Sequence, residues 1–159
     1  MRRLKIYLDT SVVNFVYADD APDLQRITVA FFEYYASQFD LFVSEVVLQE
    51  IGRDPDAVHR GLLEEVLRRH APVLLDCSRR DEVHALVSAY VQHGVFSAAK
   101  LDDALHAAYA TVYEMDILLS WNFKHLANIR KEGLIQVLNT EQGYRHPLRI
   151  VSPTEVEYE

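Results

Sequence analysis

The sequence predicts an α/β domain with a mainly parallel central sheet of four to five strands. Three observations predict it. Short β-favouring apolar runs alternate with amphipathic helical segments along the chain. The first run is apolar almost throughout, as expected of a strand covered on both faces. The chain has 159 residues, 50% hydrophobic and 11% aromatic, which is the composition of a folded domain with a real core and not of a disordered segment.

Residues 4–8, Leu-Lys-Ile-Tyr-Leu, read as the first strand, and the run ends at Asp9. Thr10 or Ser11 can cap a helix over 12–17, which Asp19, Asp20 and Pro22 stop. Residues 23–37 read as a helix with Ile27, Ala30, Phe31 and Tyr34 on one core-facing stripe. A second strand covers 41–43, and Ser44 caps a helix that contains Val47, Leu48 and Ile51. The run Gly52-Arg-Asp-Pro55 marks a turn before a helix over 57–70. Residues 72–75 are a third strand, and 80–92 an amphipathic helix stopped by His93 and Gly94. Residues 97–113 form an Ala-rich helix whose small side chains allow close packing on a sheet. A fourth strand covers 117–119, a helix with a break near Gly133 covers 123–138, and a last strand covers 149–151. No repeat, linker or low-complexity stretch divides the chain, so one domain over 1–159 is expected.

No apolar run reaches the length of a bilayer, and Asp9 interrupts any signal-type apolar region behind the basic start. No membrane association and a cytoplasmic protein are therefore expected. The single Cys77 excludes an internal disulfide. Because it follows Val73, Leu74 and Leu75, it is expected to be a small buried or half-buried residue.

The chemistry-bearing residues fall where strands end. In open α/β sheets, ligands bind outside the carboxyl ends of the strands, where the strand order reverses. Asp9 directly follows the first strand, and Asn122 lies three residues beyond the fourth. Asp103 opens the Ala-rich helix that leads into the fourth strand, and Glu50 lies on the helix after the second strand, six residues past Ser44. Oxygen donors of this kind suit Mg²⁺ or Mn²⁺. Such an ion activates water and stabilises the charge of a phosphodiester transition state, so metal-assisted phosphodiester hydrolysis is expected. Each residue also has a structural reading. Asp9 and Asn122 can cap helices, Glu50 can be a solvated helix residue, and Asp102 and Asp103 suit a helix start. The shared edge of the sheet favours a common site.

The net charge of −8 argues against a nucleic-acid grip over most of the surface. It does not exclude a nuclease, since bound cations reverse the local sign of a carboxylate site. Basic contacts must then be local, with Arg2, Arg3, Lys5, Lys100, Lys124, Arg130, Lys131, Arg145 and Arg149 as candidates beside a reading of scattered solubilising charge.

Four stretches together resemble the PIN domain, and more closely the VapC-like ribonucleases of bacterial toxin–antitoxin pairs. They are Ile6-Tyr-Leu-Asp-Thr-Ser11, Val43-Ser-Glu-Val-Val-Leu-Gln-Glu-Ile51, Leu101-Asp-Asp-Ala-Leu-His-Ala-Ala-Tyr-Ala110 and Leu118-Leu-Ser-Trp-Asn-Phe-Lys-His125. Arg149-Ile-Val-Ser-Pro153 suits the family's final strand. The resemblance implies a three-layer α/β/α sandwich and an Mg²⁺- or Mn²⁺-dependent endoribonuclease, the toxin of a type II pair. It places the acids on Asp9, Glu50 and Asp103, the last preferred over Asp102, with Asn122 as the fourth catalytic and metal-site position. It also implies an RNA substrate, a homodimer and a small antitoxin protein. Asn122 and Ser120 stand where Asp and Thr are commoner, which weakens a second metal position more than the first. Glu45 rivals Glu50 but points elsewhere on the helix and is expected to face solvent. His106, one turn from Asp103, either packs or reaches the site. Thr10 and Ser11 are expected to hold Asp9 or a water beside it.

A PIN-like module that binds RNA or protein without cutting is the alternative. A haloacid-dehalogenase phosphatase needs an Asp where Ser11 stands. A receiver domain needs an acidic pair beside the first strand. A dinucleotide-binding domain needs a Gly-rich turn, and this chain has only 5 Gly.

Overall fold

The structure is a computed structural model that describes residues 2–156. Five strands, β1 (Lys5–Leu8), β2 (Asp40–Val43), β3 (Val73–Leu74), β4 (Ile117–Leu119) and β5 (Arg149–Val151), form one sheet in the order β3-β2-β1-β4-β5. Every pairing is parallel. The helices α1 (Thr10–Asn14), α2 (Pro22–Ala30), α3 (Glu45–Gly52), α4 (Ala57–His70), α5 (Arg80–Gln92), α6 (Leu101–Val112) and α7 (Ile129–Glu141) complete a three-layer α/β/α arrangement. The strand order reverses between β1 and β4, the central strands, and their residues Ile6, Leu8, Leu118 and Leu119 are buried. Covering on both faces explains why these strands are apolar without alternation.

α6 packs closely because it is built from small residues. Ala104, Ala107, Ala108 and Ala110 are fully buried, which brings its backbone near the sheet and α5. α3 starts at Ser44, whose hydroxyl accepts from the Val46 N–H.

Several boundaries differ from expectation. Asp9, not Thr10 or Ser11, caps α1 by accepting from the Val12 N–H, and a 3₁₀ turn at Phe15–Tyr17 completes the expected 12–17 helix. The expected 23–37 helix changes to a π-helical turn at Phe31–Tyr35. The wider turn rotates the stripe, so Phe32 is buried and Tyr34 is 69% exposed. The expected 123–138 helix begins at Ile129, where Asn128 accepts from the Lys131 N–H. Residues 123–128 form turns, and the helix runs through Gly133 without a break. Cys77 is exposed, not buried, because β3 is a two-residue edge strand that ends before it.

Candidate active site

The in-register pairing of Leu8 with Leu119 sets the ends of β1 and β4 side by side. The Asp9 N–H donates to the Leu119 carbonyl at 3.2 Å, and the Ser120 N–H donates to the Val151 carbonyl at 3.0 Å. Asp9 and Ser120 are therefore neighbours at the point where the strand order reverses. There a cavity of about 260 Å³ is lined by Asp9, Thr10, Ser11, Asn14, Glu50, Asp103, His106 and Asn122. The four predicted site residues, on four different segments, meet in this one cavity. Asp102, the lesser candidate, points away and pairs with Arg53 at 2.9 Å. Glu45 also points elsewhere. It accepts from Arg80 at 2.6 and 3.0 Å and from the Tyr109 hydroxyl at 3.0 Å, so it sits in an ion pair and not in open solvent.

Asp9 is 3% exposed and held on both oxygens. Ser11 donates to Oδ1 at 2.5 Å, as does the Val12 N–H at 3.2 Å, and Ser120 donates to Oδ2 at 2.5 Å. Ser11 in turn accepts from the Trp121 N–H at 2.9 Å, which ties the fourth segment to the first. Ser11 therefore fixes Asp9 as expected, whereas Thr10 donates to Glu50 Oε1 at 2.8 Å. Asp103 opens α6 and accepts on Oδ1 from the Asn122 amide at 3.1 Å.

The orientation of the Asn122 amide follows from its partners. The His125 N–H can only donate, and it donates to Asn122 Oδ1 at 3.0 Å. The Asp103 carboxylate accepts, so the amide nitrogen faces it. Asn122 thus caps the turn that follows it, not the last helix, and its side chain reaches the site as an N–H donor to Asp103. The oxygen expected to serve as a ligand is engaged by His125.

Electrostatics sets the carboxylates apart. Burial pushes Asp9 above its ordinary pKa, against the lowering pull of His106 and of the Ser11, Ser120 and Val12 hydrogen bonds. Burial likewise pushes Asp103 up, against His106, His125 and Asn122. Burial also works on Glu50, but the hydrogen bond and charge of His106, with Thr10 and Arg53, carry it below its ordinary value. Among the described residues, neither Asp9 nor Asp103 has a salt-bridge partner. Two desolvated acids without an ion-pair partner, beside a third acid and an amide, share the imidazole of His106 as the basic group that acts on all three acids.

This all-oxygen donor set fits Mg²⁺ or Mn²⁺ in kind. As the side chains stand, no group of three or more His, Cys, Asp or Glu among the described residues is arranged to hold an ion. Glu50 Oε2 and Asp103 Oδ2 accept no hydrogen bond among the described residues, and both residues line the cavity.

His106, expected either to pack or to reach the site, enters the site through Glu50. It is 2% exposed, and its Nε2 lies 2.5 Å from Glu50 Oε1. It packs and reaches the site at once. The available signal was its i+3 spacing from Asp103 on an otherwise apolar face of α6.

No family model matches the sequence, and no curated protein matches it. Among solved structures, the chain is similar to one in the VapBC2 complex from Rickettsia felis bound to a DNA fragment from their promoter. That likeness has a TM-score of 0.60 and 14% identity, over 94% of this chain and 98% of that chain. A tyrosyl-tRNA synthetase from Aeropyrum pernix overlaps with a TM-score of 0.49 and 16% identity, over 95% of this chain and 53% of that one. The first likeness is one of fold. With the five-stranded all-parallel sheet and its order, it bears out the expected PIN-like three-layer α/β/α arrangement.

Proposed function

We propose that this chain is an Mg²⁺- or Mn²⁺-dependent endoribonuclease of the VapC-like type, the toxin of a type II toxin–antitoxin pair. The observation that carries the reading is the meeting of Asp9, Glu50, Asp103 and Asn122 in one cavity at the reversal of strand order. The fold shared with a chain of a VapBC2 complex supports it. When bound, the cation would supply an activated water and stabilise the charge that develops on the phosphate. Asp9, Glu50 and Asp103 would hold that cation. Asn122 would keep Asp103 in place through its N–H and line the substrate side of the cavity. Lys100 and Lys124 lie in the segments next to Asp103 and Asn122, where they can meet RNA phosphates. A homodimer, a small antitoxin partner and a cytoplasmic site of action belong to the same reading. No helix among the described residues is long and apolar enough to cross a membrane.

One observation favours a second reading, a PIN-like module that binds RNA or protein without cutting it. The Asn122 oxygen is already engaged, and no three acids are set to grip an ion. Incubation with a panel of structured RNAs in Mg²⁺, Mn²⁺ or EDTA separates the two. The proposal expects cleavage with either ion, none in EDTA, and a loss of at least about 10²-fold in Asp9→Ala protein, the scale seen when one transition-state stabilising group is removed. RNA binding without cleavage in either ion would favour the module. Cleavage that persists at full rate in Asp9→Ala and Asp103→Ala would remove the site assignment.

A further inference from the structure

A chain of polar groups runs from the buried core behind the cavity to the cavity wall. The Ser44 hydroxyl lies 2.7 Å from the Tyr7 hydroxyl, which lies 2.7 Å from His106 Nδ1. His106 Nε2 lies 2.5 Å from Glu50 Oε1. Ser44 and Tyr7 are completely buried and His106 nearly so. The chain joins the end of β2, the centre of β1 and the middle of α6 to the side chain of Glu50 on α3.

The direction of its last link follows from the groups themselves. An ionised carboxylate only accepts, so Nε2 carries a hydrogen whatever the charge on the ring. The ring cannot turn to withdraw that hydrogen. Its far nitrogen is bonded to Tyr7, and the Tyr7 ring meets it edge-on at a centroid distance of 5.6 Å. Tyr7 is fixed in its turn by Ser44, whose oxygen is anchored on the Val46 N–H at 3.2 Å. Glu50 Oε1 receives a second donor, the Thr10 hydroxyl at 2.8 Å. Both donors fall on the same oxygen. Among the described residues Oε2 accepts no hydrogen bond, and the residue lines the cavity.

We infer that His106, backed by Tyr7, is a positioning residue. It clamps one oxygen of Glu50 so that the other is presented to a divalent cation in the cavity. The inference rests on the metal-dependent reading above and deepens it. Asp103 and His106 share a face of α6, so one helix delivers an acid of the site and the clamp of another. A long flexible Glu would otherwise have to be ordered by the ion alone. Partners that orient a metal-binding side chain commonly change affinity by about 10- to 100-fold when lost.

The test is Mn²⁺ affinity of the full chain, read by titration calorimetry, with RNA cleavage measured beside it. His106→Leu keeps bulk but has no donor, and about 10- to 100-fold weaker Mn²⁺ binding is expected. His106→Gln can place an amide N–H near the position of Nε2, and recovery of most of that loss is expected. A merely structural role would not separate these two variants by donor. In cleavage, the His106→Leu defect should shrink as Mn²⁺ is raised. Wild-type affinity in folded His106→Leu, or equal weakening in both variants, would overturn the inference. If His106→Leu does not fold, Tyr7→Phe serves, since it keeps the ring packing and frees Nδ1. It should weaken Mn²⁺ by several-fold, and unchanged affinity overturns the inference. Absence of Mn²⁺ binding by the wild-type chain would instead sink the metal-dependent reading, and the inference with it.

Discussion

Asp103 shows how a residue can work against the fold that carries it. Burial raises its pKa in the folded chain above that of an exposed Asp. A raised carboxylate contributes stability that is fully present below the unfolded pKa and lost as pH rises through the folded one. In the metal-free protein, ionised Asp103 therefore destabilises at neutral pH. Asp103→Asn keeps an oxygen for the Asn122 amide and carries no charge. Its stability relative to wild type in EDTA should climb as pH rises through the weakly acid range and then level off, while cleavage falls by at least about 10²-fold. Thermal unfolding at a series of pH values checks it, and a difference that is flat with pH would refute the account. Asp9 and Asp103 were readable in the sequence because strand ends and helix starts are local features, and Glu50 came from the resemblance of its segment. The bonds that orient all three were not readable there. Ser120 reaches Asp9 across 111 positions, and His106 reaches Glu50 across 56. Such partners follow from sheet register and helix packing, which a linear pattern does not carry.

At the scale of elements, buried polar links decide how the helical layer is held. Tyr90 on α5 donates to Asn139 Oδ1 on α7 at 2.6 Å, and Asn139 donates to Thr111 on α6 at 2.8 Å. All three residues are buried, and among the described residues no buried side-chain N or O atom lacks a partner. Tyr90→Phe would leave the Asn139 oxygen without its donor. The expected loss is about 1–3 kcal/mol, the cost of an unsatisfied buried acceptor, measured by urea unfolding with an unchanged m-value. A loss below about 0.5 kcal/mol would show that the link holds nothing. Most elements were readable for a related reason. Residues 57–70 and 80–92 begin and end on local signals, and the observed helices have those bounds. The misses arose where the local backbone bonding departs from the regular helix pattern. Lys124 and His125 suit a helix, yet Asn122 takes the Leu126 and Ala127 N–H groups on its carbonyl and turns the chain first. The π turn at Phe31–Tyr35 has no marker in composition, so Tyr34 was placed on the wrong face.

Across the whole molecule, charge is divided between the two edges of the sheet. Arg2, Arg3 and Arg149, expected as local nucleic-acid contacts, lie at the edge where strands begin, paired with Asp116, Asp40 and Glu132. The opposite edge holds Asp9, Glu50 and Asp103 around one cavity. A protein with a net charge of −8 that concentrates desolvated acids at one edge should gain stability from a cation there. An ion that binds only the folded chain adds about 2.7 kcal/mol at one hundred times its dissociation constant. Protons compete for the same oxygens, since burial raises both Asp9 and Asp103. The two pH trends are therefore opposite in sign. The metal-free chain loses the contribution of these acids as pH rises, whereas the stabilisation by Mn²⁺ grows as they ionise. At one fixed Mn²⁺ concentration, the rise in unfolding temperature over an EDTA control should be smaller at pH 5 than at pH 7.5. In Asp103→Asn protein the rise should be small at both. A rise of equal size at the two pH values, or one that survives in the variant, would place the ion away from this cavity.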